Sequence, residues 1–142
     1  MSDILYELSV AVPPEKVYAA VVEADRIQAW WATEAFMLPP MGKMIEVRFQ
    51  GENQGHRFEL VSRKSDLKVE WIIVDSLQEW LGTRMTWDLT PTPKGTKVLF
   101  GHRDWTSADG LLAYCTYHWG IYLDSLKKYL ETGKGNPFPF TA

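Results

Sequence analysis

Residues 12–31 of this 142-residue chain read VPPEKVYAAVVEADRIQAWW and carry the signals of two short helices. Proline is tolerated in the first turn of a helix, so the two prolines suit a helix entrance, and the glutamate after them is favourable there. Asp25 and Gln28 resemble a capping box, which predicts a second helix that ends near Trp30. We therefore expect two short helices in this stretch, with a loop after them.

Segments on both sides of this stretch alternate apolar and polar residues, as β-strands with one buried face do. Residues 4–12, ILYELSVAV, alternate strictly and predict a first strand. Four or five further strands are expected after the helices, in an antiparallel sheet with one face covered and the other exposed to water. The later alternating segments are GKMIEVRFQ (42–50), HRFELVSR (56–63), LKVEWIIV (67–74), TRMTWDLT (83–90) and GTKVLFGHRDW (95–105).

The last predicted element is a long helix that starts near Ser107 or Asp109 and ends at Gly133. About 24 residues at 1.5 Å each give a rod of roughly 36 Å, which is long enough to cross a whole sheet. At 100° per residue, its apolar side chains fall within one sector of about 120°. They are Leu111, Leu112, Cys115, Trp119, Tyr122, Leu123, Leu126, Tyr129 and Leu130.

A sheet with one apolar face needs a cover, and this terminal helix supplies it. Strong sheet twist can curl the strands around the helix, while the two short helices close one end of the resulting cup. The predicted fold class is therefore α+β, with a curved antiparallel sheet wrapped around a long C-terminal helix. No linker or internal repeat divides the chain, so residues 1–142 are expected to form a single domain.

Two motifs resemble a known family. The stretch at residues 12–31 resembles the opening motif of the START-like (SRPBCC) superfamily, and HWGIYLDSLKKYLETGKG (118–135) resembles the closing helix of one branch of it. That branch is named for the C-terminal domain of the activator of the heat-shock-protein-90 ATPase. The resemblance implies a helix-grip fold with an apolar cavity between sheet and helix, often able to hold a lipid, a polyketide or another hydrophobic small molecule.

Composition and charge narrow the classes of function. A formal net charge of −3 without a basic cluster argues against a nucleic-acid partner, because such a surface repels phosphates. The one cysteine, Cys115, cannot form an internal disulfide, which fits a reducing compartment. The N-terminus lacks the pattern of a secretion signal, and no apolar run approaches the roughly 20 residues that cross a bilayer. We expect a cytoplasmic protein without membrane insertion.

The chain is rich in aromatic residues, with seven Trp, six Tyr and six Phe, and these are the candidate ligand contacts. Such rings either fill a core or line a cavity for an apolar ligand, and the sequence leaves both interpretations open. Five of them share the inward parity of the strands. Trp30 and Trp31 are either packing residues or, with Phe36 and Met37, the lip of the cavity mouth. The five inward rings are Phe49, Phe58, Trp71, Trp87 and Phe100.

Polar candidates are fewer. His102 has the inward parity of the last strand and His118 lies at the edge of the apolar sector, so the two are expected to face each other. With Tyr122 they could orient a polar group of a ligand or, alternatively, be satisfied by neighbouring carbonyls and hydroxyls. His56 falls in a predicted turn and is expected to be solvated.

Three functions follow from these residues. The first is binding of a hydrophobic small molecule as a carrier or sensor, without cofactor or metal, because no metal-ligand spacing or phosphate loop is present. The second is a protein-interaction module related to chaperone ATPase activators. The third is an enzyme of the cyclase or dehydratase type, with His102 or His118 as general base. Tyr114, Tyr117 and Ile121, off the apolar sector, could form a patch for a homodimer.

Overall fold

A computed structural model describes residues 2–39, 43–64, 66–77, 79–106 and 110–139 of the chain. Seven strands and three helices follow one another within these ranges. In chain order they are β1 (Ser2–Val10), α1 (Pro14–Val22), α2 (Ala24–Trp30), β2 (Glu34–Leu38), β3 (Met44–Arg48), β4 (His56–Arg63), β5 (Lys68–Asp75), β6 (Arg84–Thr92), β7 (Gly95–Trp105) and α3 (Leu111–Thr132).

The seven strands form one antiparallel sheet in the order β1-β7-β6-β5-β4-β3-β2. Strands that follow each other in sequence lie side by side, except that β1 pairs with the last strand, β7. Helix α3 packs against β1 and against both short helices. This confirms the predicted α+β architecture, with a curved antiparallel sheet, two short helices after the first strand and a long C-terminal helix.

The strand β2 was not predicted, since its residues were expected to lie in a loop. It has five residues, lies at the edge of the sheet, and buries Ala35 while Phe36 stays 37% exposed. An edge strand this short gives little alternation for a sequence pattern to detect. Its backbone is tied to α2, because the Ala35 N–H donates to Gln28 Oε1 at 3.0 Å.

That hydrogen bond also shows that the predicted capping box of Asp25 and Gln28 is wrong. Helix α2 begins at Ala24 after Glu23, and no side chain caps its start. Gln28 uses its side chain on the neighbouring strand instead of on its own helix. The amide at this position therefore serves tertiary structure rather than the helix end.

Helix α3 begins at Leu111 after Gly110, and the candidate caps Ser107 and Asp109 lie outside the described residues. Its predicted end is confirmed, because Gly133 adopts the left-handed conformation, with φ 86°, that favours glycine. The helix buries the middle of the apolar sector expected from the sequence, including Trp119, Leu123 and Leu126, while the four residues toward its two ends are partly buried. No helix in the described part of the chain is long and apolar enough to cross a membrane.

Candidate functional site

The adjacent tryptophans at the end of α2 are both buried, and they have different roles. Trp30 donates its indole N–H to the carbonyl of Ala20 at 2.9 Å, and Trp71 from β5 donates to the carbonyl of Val21 at 2.8 Å. The last carbonyls of a helix have no partner within that helix. These two indoles therefore satisfy the end of α1 and fix it over the sheet.

Trp31 is held between two other indoles. Its ring stacks on Trp71 and on Trp119 from α3, each at a centroid distance of 5.2 Å, and the Phe49 ring meets it edge-on at 5.4 Å. One ring thus connects α2, the sheet and the terminal helix. Offset stacking of this kind adds about 0.5–1.5 kcal/mol per pair beyond the burial of area.

A cavity of about 230 Å³ lies beside Trp31 and is bordered by the first half of α3. The loop before β4 and the loop after β5 form other sides of it, through residues such as Phe49, Glu52 and Leu77. Most of its wall is aromatic. The rings are Trp31, Phe49, Trp80, Trp119, Tyr122 and Phe138, with Tyr114 at the surface.

The cavity wall also carries a histidine whose position was predicted wrongly. His56 is 2% exposed and begins β4, whereas the sequence placed it in a solvated turn. Its Nδ1 lies 2.6 Å from Ser76 Oγ and its Nε2 lies 3.0 Å from Glu52 Oε1. Because a carboxylate only accepts, Nε2–H donates to Glu52, and in the neutral ring the Ser76 hydroxyl donates to Nδ1. Parity with the buried Phe58 was the signal that could have found it.

His102 is fully buried and lies in a directed chain of hydrogen bonds. The indole N–H of Trp119 donates to Nδ1 at 3.1 Å, so the ring carries its proton on Nε2 and donates to Thr83 Oγ1 at 2.9 Å. The Thr83 hydroxyl in turn donates to the carbonyl of Trp80 at 2.6 Å. Burial lowers the pKa of His102 to about 3, so the imidazole is neutral near pH 7.

The two histidines that were expected to face each other have different neighbours. The His118 Nδ1–H donates to the carbonyl of Tyr114 at 2.9 Å, and the His118 ring stacks on the Tyr114 ring with centroids 3.9 Å apart. Only His118 of the pair lines the cavity, whereas His102 is packed among the rings of Trp80 and Trp105. The two histidines lie apart because the His118 side chain is directed toward Tyr114, one turn earlier on the same helix.

The predicted ligand contacts therefore divide into three groups. Four of them line the cavity, namely Trp31, Phe49, His118 and Tyr122. Phe36 lies outside it, with the Arg48 guanidinium 5.9 Å from its ring centroid. The others are buried in the packed interior: Trp30, Phe58, Trp71, Trp87, Phe100 and His102.

Several lining residues were not identified as ligand contacts from the sequence. Phe138 belongs to the C-terminal tail after α3, where its N–H donates to the Trp31 carbonyl at 3.0 Å and its carbonyl accepts from Thr33 Oγ1 at 2.7 Å. Glu52, His56 and Trp80 come from loops or strand ends. Alternation cannot assign a side in such segments.

Cys115 also lines the cavity, as a thiol. Burial raises its pKa to about 11, which leaves it protonated near pH 7 and makes it a poor nucleophile. The Trp80 indole N–H makes no hydrogen bond of ordinary geometry. It lies close to the Cys115 thiol, however, and partly counteracts the rise in the thiol pKa. Burial likewise raises the pKa of the Tyr122 hydroxyl, which is therefore neutral.

Comparisons with known proteins agree with this architecture. The family model described as Activator of Hsp90 ATPase homolog 1-like protein matches residues 11–131. The comparison with curated proteins found no match. Among solved structures, the Aha1 dimer from Colwellia psychrerythraea is 29% identical with a TM-score of 0.82, covering 95% of this chain and 100% of that one.

Two more distant structures share the fold. Protein SSP2350 from Staphylococcus saprophyticus is 22% identical with a TM-score of 0.73, over 94% of this chain and 95% of that one. Protein MLL2253 from Mesorhizobium loti is 20% identical with a TM-score of 0.74, over 91% and 96%. At these identities the likeness concerns the fold alone, and a shared fold does not fix a shared function.

Proposed function

The chain belongs to the family of Activator of Hsp90 ATPase homolog 1-like proteins, and we propose that it binds a small hydrophobic molecule as a carrier or sensor. The observation that supports this proposal is the cavity of about 230 Å³ between α3 and the sheet, whose walls are mainly aromatic. Apolar burial contributes about 25 cal/mol per Å², so such walls provide affinity without a cofactor.

The volume suggests the size of the ligand. Ligand sites for drug-sized molecules usually measure roughly 300–1,000 Å³, and an apolar cavity of about 150 Å³ is enough for benzene. A cavity of about 230 Å³ therefore fits a molecule with one or two rings, or a short aliphatic chain. A full-length phospholipid is too large for it.

A filled cavity tests the proposal directly. Cys115→Leu adds side-chain volume to the wall, whereas Ala113→Leu adds volume at an exposed position of the same helix and serves as the matched control. We expect neutral ring compounds such as indole to raise the Tm of the natural chain and of Ala113→Leu. In Cys115→Leu the shift should disappear. Absence of any shift across a broad panel of ring compounds and short lipids would contradict the proposal.

Self-association is a second candidate. The Colwellia psychrerythraea structure is described as a dimer, and this chain exposes Tyr114 by 56% and Tyr117 by 67% on one face of α3. Exposed rings of this kind are typical of interaction surfaces, for a second copy or for a chaperone partner. Sedimentation of the natural chain and of Tyr117→Asp distinguishes these cases, because only a homodimer through this face dissociates in the variant without any other protein present.

Catalysis by His102 is the least favoured of the proposed functions. A general base must reach the proton that it abstracts, and both nitrogens of His102 are already used in hydrogen bonds to Trp119 and Thr83. Its low pKa also makes it a weak base. The cytoplasmic location stays a prediction from the N-terminal sequence and the single cysteine.

A further inference from the structure

We propose that the cavity selects small apolar cations, such as aromatic amines, over carboxylates of the same size. This inference rests on the function proposed above, because it requires a cavity that takes a ligand, and it names the chemical class of that ligand. Three features carry it: the sign of the charges around the cavity, the way in which one carboxylate is held, and the rings that surround it.

The charged groups around the cavity are acidic. Among the described residues that line it, Glu52 supplies a carboxylate, and neither lysine nor arginine is present. A second carboxylate, Glu79, lies at the start of α3, where its Oε2 accepts the N–H of Leu111 at 3.0 Å. Leu111 itself lines the cavity.

Glu79 also changes what the start of α3 offers to a ligand. The free N–H groups at the beginning of a helix attract anions. Here the first N–H of the helix, that of Leu111, is already bound by a carboxylate. An anionic ligand would therefore meet negative charge at the start of α3, which borders the cavity.

The Glu52 carboxylate is held in position by its neighbours. Its Oε1 accepts from His56 Nε2 at 3.0 Å, and the buried imidazole is fixed at its other nitrogen by Ser76 Oγ at 2.6 Å. Within the described residues this leaves Oε2 for a ligand. A charged acceptor that is already oriented gains more from a donor than a freely rotating one, because less side-chain freedom is lost on binding.

The rings complete a site for a cation. Trp80 lines the same cavity as Glu52, and among the described residues no other indole stacks on its ring. Both faces of Trp31, by contrast, are covered by Trp71 and Trp119. Indole faces attract ammonium groups through the ring quadrupole, and tryptophan does so most strongly. Trp80 also supplies an indole N–H, which favours an acceptor, but one neutral donor does not offset the cost of burying an anion beside carboxylates.

The test uses three ligands of nearly equal size at pH 7: 2-phenylethylammonium, 2-phenylethanol and phenylacetate. Because three indoles line the cavity, quenching of tryptophan fluorescence measures each Kd, and calorimetry checks it. We expect the cation to bind at least about tenfold more tightly than the neutral alcohol, and the anion to bind most weakly. Raising the salt concentration should reduce the difference in Kd between the cation and the anion.

Two variants test whether the charge of Glu52 causes the preference for the cation. Glu52→Gln keeps an acceptor for His56 and removes the charge, so the cation should lose about tenfold in affinity while the alcohol is unchanged. Glu7→Gln removes an equal charge from an exposed position of β1 that does not line the cavity, and it should change nothing. Equal Tm values of the two variants show that the fold is retained.

Each result decides something. Cation preference that is lost only in Glu52→Gln supports the proposal. Equal binding of cation and alcohol, or anion binding as tight as cation binding, overturns the selectivity while the proposed ligand-binding function stands. If none of the three ligands binds and ring compounds also fail to raise the Tm, the proposed function itself is overturned, and the selectivity with it.

Discussion

The middle of the molecule and the end beside Trp31 are built from the same kinds of residue, yet one is solid and the other is hollow. In the middle, Trp71 stacks on Phe58 at a centroid distance of 4.5 Å, and Phe100 lies 4.4 Å from Trp119. At the end, rings such as Phe49 and Tyr122 line a cavity of about 230 Å³. Aromatic content alone therefore does not mark a binding site.

The polar partners explain the difference between the two regions. In the middle, the indole N–H groups of Trp30 and Trp71 donate to carbonyls at the end of α1, which holds these two rings around the helix end. At the cavity end, the polar groups are Glu52, His56 and His118, which are held by hydrogen bonds within the wall. These polar groups are satisfied within the wall, and a cavity of about 230 Å³ lies between the wall residues.

Removing a ring from the middle should have the largest effect. Trp71→Ala leaves a cavity among packed rings and removes the partner of the Val21 carbonyl, so we expect about 3–5 kcal/mol of lost stability. Urea unfolding measures the free energy. A loss below about 1 kcal/mol would mean that the middle is as loosely packed as the cavity end.

Acidification should weaken the middle through His102. The folded pKa of about 3 lies below the ordinary value of 6.5, so the unfolded chain binds more protons between these values. The contribution of His102 to the free energy of unfolding is therefore complete above pH 6.5. It falls by up to about 1.4 kcal/mol per pH unit as the pH decreases toward 3. His102→Gln should show a shallower slope in urea unfolding at pH 4–7. Identical slopes in the two proteins would contradict the assignment.

The cavity end should respond to loss of the tail contact. Thr33 Oγ1 donates to the Phe138 carbonyl at 2.7 Å and accepts the Gln50 N–H at 2.9 Å, so it holds the tail against the cavity wall. Thr33→Val should cost about 1–2 kcal/mol and increase hydrogen exchange at Phe138. Unchanged exchange there would show that the ring contact with Phe49 suffices to hold the tail.

The smallest effect on stability is expected at the exposed part of the cavity wall. Tyr114 is 56% exposed and belongs to the cavity wall, so Tyr114→Ala should change the free energy of unfolding by about 0.5 kcal/mol or less. Ligand affinity in the same variant is the informative measurement. A stability loss comparable to that of Trp71→Ala would remove the distinction between the two regions.

How far the sequence predicted the molecule depends on the regularity of each segment. The alternation around Val69, Trp71 and Ile73 placed all three on the buried face correctly. His56 has the same parity as Phe58, but the preceding glycine-rich turn led to its assignment as solvated, which is wrong. Glu52 and Trp80 lie in loops, where neither helical nor strand periodicity indicates which way a side chain points.

The sequence by itself determined the α+β class, the strand faces, the long helix and its end at Gly133, because those features depend on periodicity and on local backbone preference. Only the tertiary structure decided which aromatic rings pack against one another and which surround the cavity. The distance between a helix and a sheet is set by contacts between residues far apart in the chain, such as Trp31 with Trp119 and Thr33 with Phe138. Such contacts leave no periodic trace in the sequence.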